Sequence, residues 1–302
     1  MATITTGSHP KALWPGVKAW FGKSYSEKPI IAEKVFDAMS SDKAYEEYVE
    51  ETGFGLAARK PEGQGVSYDT DKQGYISRMV NVTYGLGAKV TREAIEDNQY
   101  ENVARRKASK LARSMRATKE VVGANVLNRA FDSNYVGGDA VCLVSNAHPS
   151  LSGNQTNTLA VAADLSEASL EDMLTLIRLA VDSRGIRIQA RATSLIIPPQ
   201  EVFNAHRILS SANQSGTANN DTNAVRDMGI FPGGAINWDY LTDTDAWFVK
   251  TDVDTGLIYQ KRRGYEFTQD NDFDTENACM KASERYAFGW GDWRGIYGSP
   301  GA

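Results

Sequence analysis

Cysteine and histidine are scarce in this chain of 302 residues, with two of the first and three of the second. Cys142 and Cys279 match no zinc-ligand spacing and are too few for a disulfide framework. They read as reduced, buried thiols of a protein that folds in a reducing cytoplasm, with a single Cys142–Cys279 bridge as the alternative. His9, His148 and His206 have no partner at i,i+4, so no metal site is expected. His148 precedes a proline and reads as hydrogen-bonded within its loop; His206 falls on a short helix and reads as half-buried. A basic excess is missing as well. The 33 Lys and Arg face 38 Asp and Glu, a formal net charge of −5, whereas a protein built to grip phosphates usually carries the opposite balance. No apolar run approaches the ~20 residues that cross a bilayer, so no membrane span is expected. The start, MATITTGSHPKALW, lacks the basic lead and apolar core of a secretion signal.

Catalytic signatures are absent too. There is no phosphate-binding Walker loop, no GxGxxG fingerprint, no HExxH and no GxSxG. Cys142 has no cationic sequence neighbours to activate it as a nucleophile. Asp243, Asp245, Asp252 and Asp254 lack the spacing and closing glutamate of a calcium loop and read as solvated turns. Neither an enzyme nor a cofactor-binding protein is expected.

What is present is an ordinary folded composition, 41% hydrophobic and 24% charged. Trp14, Trp20 and Phe21 crowd a short N-terminal segment, where Pro15-Gly16 argues against one regular helix. Such an arm either folds back on its own core or lies on a neighbouring subunit. Residues 33–51 show helix-spaced apolar positions in two short pieces. Residues 62–90 read as a long β-hairpin turning at 69–74, with Ile76, Val80, Val82 and Tyr84 on one face and Arg78 among them. A lone two-stranded hairpin is marginal in water and needs a surface, in its own subunit or another.

The strongest helix signal is 91–131. Thr91 is a good N-cap, with Glu93, Glu96 and Asp97 near the positive end of the helix dipole. Ala104, Ala108, Leu111, Met115, Val122 and Val126 form an apolar stripe. Arg105, Arg106, Lys107, Lys110, Arg113, Arg116 and Lys119 form a basic face, either solvated or set against acids of a neighbouring subunit. Unbroken, this helix spans roughly 60 Å. A globule of this length is about 50 Å across, so the subunit is expected to be flat, unless Gly123 kinks the helix. Further on, Ser166 caps a helix over 167–184, and Leu195-Ile196-Ile197 form a strand stopped by Pro198-Pro199. A short helix follows, then a small-residue loop at 210–223, then three strand-like runs.

This order of parts, an α+β sequence, resembles the major capsid proteins of tailed double-stranded DNA phages, with the Hong Kong 97-type fold. The resemblance covers nearly the whole chain. It is carried by LWPGVKAWFG at 13–22, GFGLAARKPEGQGVSYD at 53–69, YGLGAKVTREAIEDNQY at 84–100, NAHPSLSGNQTN at 146–157, LSEASLEDM at 165–173, SLIIPPQEVFNA at 194–205 and MKASERYAFGWGDWRG at 280–295. It implies an N-terminal arm with first helices at 1–59 and an extended hairpin loop at 60–90. A peripheral domain with spine helix and sheet is implied at 91–139 and 246–290, and an axial domain at 140–245 and 291–302.

The resemblance also implies homo-pentamers and homo-hexamers closing an icosahedral shell around double-stranded DNA, assembled in a bacterial host cytoplasm. A head-to-tail contact that closes at five or six copies is one symmetric solution for such a ring. Expected partners are further copies of the chain, a separate scaffolding protein, a portal and a decoration protein. The scaffolding protein is expected to be separate because the arm-like sequence starts close to Met1. Expected intersubunit contacts are Trp14, Trp20, Phe21, Tyr68, Tyr75, Ile76, Arg78, Val80, Arg105, Arg106 and Arg113. Asn213, Gln214, Ser215, Asn219 and Asn220 are expected at an axial-domain tip. No motif marks a cross-linking Lys–Asn pair, Lys60 and Lys72 included, so no covalent cross-link is expected. Two alternatives stay open: an encapsulin-like compartment shell, and a soluble α/β enzyme using acids such as Asp252 and Asp254.

Overall fold

The structure, a computed structural model, describes residues 14–91, 93, 100–213, 222–271 and 277–302. The helices are α1 (Trp14–Tyr25), α2 (Ala32–Val35), α3 (Tyr100–Asn128), α4 (Glu167–Arg178), α5 (Val202–Ser210) and α6 (Ala224–Asp227). The strands are β1 (Asp37–Ser40), β2 (Tyr45–Glu51), β3 (Gln73–Val80), β4 (Val82–Val90), β5 (Ala192–Ile197), β6 (Ala235–Asn237), β7 (Trp247–Thr251), β8 (Leu257–Asn271), β9 (Ala278–Trp290) and β10 (Ile296–Ser299). They form a sheet ordered β1-β8-β9-β4, a second ordered β10-β7-β5-β6, and the pair β2-β3.

Several local readings change. The first segment is a regular helix despite Pro15-Gly16. Both residues lie in its first turn, where a missing N–H costs no intrahelical bond. Residues 33–51 are mostly extended: only α2 is helical, β1 runs parallel to β8 and β2 runs antiparallel to β3. YEEYVEE at 45–51 fits a two-residue period as well as a helical one, and the available strand partner decides. The hairpin is therefore not contained in 62–90. Its arms are β2 and β3, joined by 52–72, while β4 turns away to pair with β9. Strand β7 also moves: it pairs with β5 and β10 in the second sheet, not with β8 and β9.

The long helix is present and continuous through Gly123. Its 29 described residues span about 44 Å. Thr91 and Glu93 are described; position 92, and positions 94–99 with Glu96 and Asp97, lie outside the described residues. A Cβ on Gly123 would stand 2.8 Å from Ala32 Cβ and 3.4 Å from the Trp238 ring, so glycine here serves close helix packing and introduces no kink. Ala108, Leu111, Ala112, Met115, Ala124 and Leu127 are buried, and Val122 and Val126 pack at the margin. Lys119 lies in this stripe, not on the basic face: it is one helical turn from Met115 and buried.

Two cores result. The first sheet turns the row Ala278, Met280, Ala282, Tyr286 and Phe288 toward α1, α2 and α3. The second core lies between α4, α5 and one face of the second sheet. Strand alternation divides the second sheet between them: Leu195 and Ile197 enter the second core while Ile196 enters the first, and Trp247 and Val249 oppose Phe248 in the same way. Gly256, ahead of β8, and Gly295, ahead of β10, meet backbone to backbone; a Cβ on Gly295 would fall 2.2 Å from Gly256 Cα.

Helix α4 begins with the expected Ser166 cap, completed by Ser169 as a capping box. It ends at Arg178 instead of 184, because Asp182 accepts the backbone N–H of Arg184 and Ile186 in a turn closed by Gly185 at φ +85°. His206 is exposed, not half-buried.

Candidate assembly surfaces

The β2–β3 hairpin has two unlike faces. Its inner row lies on the same subunit: Met79 packs with Ile258 and Ala287, flanked by Met39 and Tyr48. Ser77 Oγ donates to Gly291 O at 3.3 Å. Glu50, on β2, accepts from Ser183 Oγ at 2.5 Å and meets Arg294 Nη1 at 3.5 Å. Tyr75 also belongs to this inner row, and burial, with Asp292 and Glu50 adding, pushes its phenol well above the usual range.

The outer row is open. In register, Tyr45 opposes Val80, Glu47 opposes Arg78, and Val49 opposes Ile76. Arg78 Nε donates to Glu47 Oε1 at 2.8 Å and its guanidinium sits 4.5 Å from the Tyr45 ring centre. Around this pair the four apolar side chains Tyr45, Val49, Ile76 and Val80 are all more than 40% exposed. The connection 52–72 adds Phe54, Leu56, Val66 and Tyr68, the last 94% exposed. Burying one such side chain in a contact is worth roughly 1.5–3 kcal/mol before ordering costs. This connection is not loose at its base. Asp71 accepts from Gly53 N and Thr52 Oγ1, and Asp69 accepts from Gly55 N and Thr70 N. Those backbone bonds, with the Arg184 guanidinium, hold the Asp69 carboxyl below its usual range.

The sequence-derived contact residues divide accordingly. Ile76, Arg78 and Val80 lie together on the outer hairpin row, and Tyr68 on the connection. Arg105, Arg106 and Arg113 are exposed on α3, on a different face from the hairpin's own packing. Trp20 is half-buried against the first core with Arg105 Cζ 5.8 Å from its ring centre. Phe21 and Tyr75 do not fit the expectation. Phe21 is fully buried in its own subunit, stacked on Phe267 with ring centres 4.8 Å apart, and Tyr75 faces inward. Trp14 begins α1. Of the expected tip, Asn213 is described, bridging to Thr222, and Gln214, Ser215, Asn219 and Asn220 lie outside the described residues. Tyr45, Val49, Phe54, Leu56 and Val66 were missed. The alternation of Tyr45, Glu47, Val49 and Glu51 was the signal that could have found the first two.

Polar clusters inside the subunit are structural. His148 is fully buried, with Nδ1 2.6 Å from Asp139 Oδ2, Nε2 3.2 Å from Asn157 Oδ1 and its ring stacked on Trp293. Both cysteines are free, and burial pushes the Cys142 thiol up, away from nucleophilic use. Among the described residues no group of three or more His, Cys, Asp or Glu is placed to hold a metal.

A long helix laid on a sheet, a hairpin with one open apolar face, and a second α/β layer sharing its sheet define a Hong Kong 97-type capsid fold. Solved structures agree. The capsid of a native GTA particle matches at TM-score 0.56 and 11% identity, over 89% of this chain and 89% of that one. A virus-like particle from Pyrococcus furiosus matches at TM-score 0.54 and 12% identity, over 94% of this chain and 97% of that one. A phage-related protein from Bordetella bronchiseptica matches at TM-score 0.52 and 13% identity, over 93% and 95%. No curated protein matches the sequence. The chain belongs to the phage capsid protein family, whose model matches residues 80–299. It is thus a structural capsid component.

Proposed function

We propose that this chain is the major capsid protein of a tailed phage, closing as pentamers and hexamers into an icosahedral shell around double-stranded DNA. The observation that carries the reading is the open hairpin row with the apolar connection 52–72 beyond it. Exposed apolar surface of this extent on a folded subunit marks a contact with another chain. The inner row already has its cover, so the outer row is what a neighbouring copy would bury. The division into an arm at 1–59, an extended loop at 60–90, a peripheral domain at 91–139 and 246–290 and an axial domain at 140–245 and 291–302 is kept with two shifts. The extended unit becomes 45–80, and β7 joins the axial sheet. A separate scaffolding protein, a portal and a decoration protein complete the proposed set of partners, and assembly is placed in the host cytoplasm.

The test is a double variant, Ile76→Asp with Val80→Asp. Two exposed positions cost the isolated subunit little, about 0.5 kcal/mol each or less. Charged groups buried without partners block the contact. Negative-stain microscopy should show shells for the natural chain and dispersed subunits for the variant. Variant shells of normal size and yield would remove the hairpin from the interface. The coverage of the Pyrococcus furiosus particle subunit favours a second reading, an encapsulin-like compartment. Uniform small shells that carry a protein cargo and no DNA would select it.

A further inference from the structure

The two ends of the β2–β3 hairpin are held by different means. Toward Tyr45 and Val80 its inner row rests on the first sheet through the small cluster of Met79, Ile258 and Ala287. The other end, from which 52–72 leaves, meets the second layer through polar contacts. Arg294, on the turn between β9 and β10, has only 4% of its side chain exposed. Its Nε donates to Val181 O at 3.0 Å and its Nη2 to Gln155 Oε1 at 3.1 Å. Its Nη1 lies 3.2 Å from Asp292 Oδ1 and 3.5 Å from Glu50 Oε1. The same Glu50 oxygen accepts from Ser183 Oγ at 2.5 Å. Next to Ser183, Arg184 Nη2 donates to Thr70 O at 2.5 Å and its Nη1 lies 3.7 Å from Asp69 Oδ2. The turn at 181–186 therefore grips β2 at Glu50 and the chain entering β3 at 69–70. Gly74 makes room for this grip, since a Cβ there would stand 2.5 Å from Glu50 Oε2.

We propose that Glu50, Arg184 and Arg294 are positioning residues for assembly. They set the direction in which the connection 52–72 leaves the subunit, and so where its exposed Phe54, Leu56, Val66 and Tyr68 meet a neighbouring copy. The inference rests on the proposed capsid function and adds to it the part of the subunit that aims the contact. A buried ion pair roughly breaks even against apolar packing, so stability is a poor reason for one; fixing register is its best-attested use. The guanidinium is suited to that use. Its donors form a rigid planar fork, so a hairpin that swings away leaves them unpaired. A two-stranded hairpin is marginal by itself, and its direction has to come from the surface that holds it.

The test uses unassembled subunits with Cys142→Ser and Cys279→Ser, spin-labelled at Leu56→Cys, just beyond the gripped base, and at Arg178→Cys, at the end of α4. The label distance should be narrowly distributed, and should widen when Glu50→Gln and Arg184→Gln are added. Amides at 50–53 and 69–74 should then exchange about 10–100-fold faster, as expected for losing a charge-assisted hydrogen bond. Gly74→Ala, which crowds the Glu50 carboxylate and removes no charge, should widen the distribution too. Arg262→Gln, whose contacts with Asp42 and Ser41 lie outside the grip, should leave it narrow. Circular dichroism confirms folding, and Gly74→Ala decides should the double variant misfold. A network that merely stabilises would lower the urea midpoint and leave the distribution narrow, which would overturn the proposal. Microscopy reads assembly separately, on the chain with its cysteines and Leu56 intact. Incomplete or mixed-size shells from Glu50→Gln with Arg184→Gln support the aiming role, and shells as uniform as those of the natural chain refute it. If the natural chain forms no shells, the capsid reading falls, and the label distances still judge the grip.

Discussion

Replacing Lys119 by methionine should cost the subunit about 3–5 kcal/mol, the range for breaking a buried ion pair from one side. Lys119 Nζ lies 2.8 Å from Glu284 Oε2 and 3.3 Å from Glu33 Oε1, with Lys119 and Glu284 at 5% and 1% side-chain exposure. Rings of Tyr25, Tyr259 and Tyr286 stand 5.4–5.6 Å from the ammonium. Glu284 occupies a position in the otherwise apolar row of β9, so removing its cation strands a carboxylate between helix and sheet. Burial alone would push the lysine pKa down, but Glu284 and the tyrosines outweigh it and hold the pKa well above its usual value. A folded value raised above the unfolded one gives stability that is fully present below about pH 10.4 and is lost only as pH rises beyond it. The assay is urea unfolding of unassembled subunits for Lys119→Met, Glu284→Leu and the double variant. The double variant should recover most of the single-variant loss, because an apolar pair restores the stripe. A loss below 1 kcal/mol in Lys119→Met, or additive losses in the cycle, would refute the reasoning.

Other consequences are equally direct. Glu120→Ala orphans three donors, Ile31 N at 2.6 Å, Ala32 N at 3.1 Å and Trp238 Nε1 at 2.8 Å. At roughly 1 kcal/mol or more per orphan the cost is about 3 kcal/mol, accompanied by a shift in tryptophan emission. A loss under 1 kcal/mol would show that water replaces the carboxylate. Gly123→Ala gains about 1 kcal/mol of helix propensity but places a methyl 2.8 Å from Ala32. Overpacking of this kind costs about 1–3 kcal/mol, so thermal unfolding should show a lower midpoint, and a raised midpoint would mean that α2 yields freely.

The long elements were legible because their periodicity is self-contained. Helix α3 carries its stripe over many turns, and β8 and β9 are long enough to declare a two-residue period. The arm and the hairpin were not, for a different reason at each place. Pro15 breaks a helix from an interior position but is accommodated in a first turn, and the sequence alone does not say which place it holds. The heptapeptide at 45–51 satisfies both periods, and its partner lies beyond a 21-residue connection, 52–72, that no local signal bridges. Charge type alone puts Lys119 on the basic face, whereas its spacing from Met115 places it on the buried side. Of the contact residues, those on the outer hairpin row share a parity visible in the sequence. Phe21 and Tyr75 were misassigned because an aromatic gives no sign of which partner buries it.

The four-stranded sheet β10-β7-β5-β6 works as a party wall, since successive side chains of a single strand are anchored in rooms on opposite sides. Neither room can be vacated while the other stays occupied, so heating empties both at once and calorimetry registers one endotherm. The wall also leaves no hinge between the two layers. In the proposed shell, any difference in angle between neighbouring copies would have to be taken up outside this wall, and the span at 52–72 is the candidate for it.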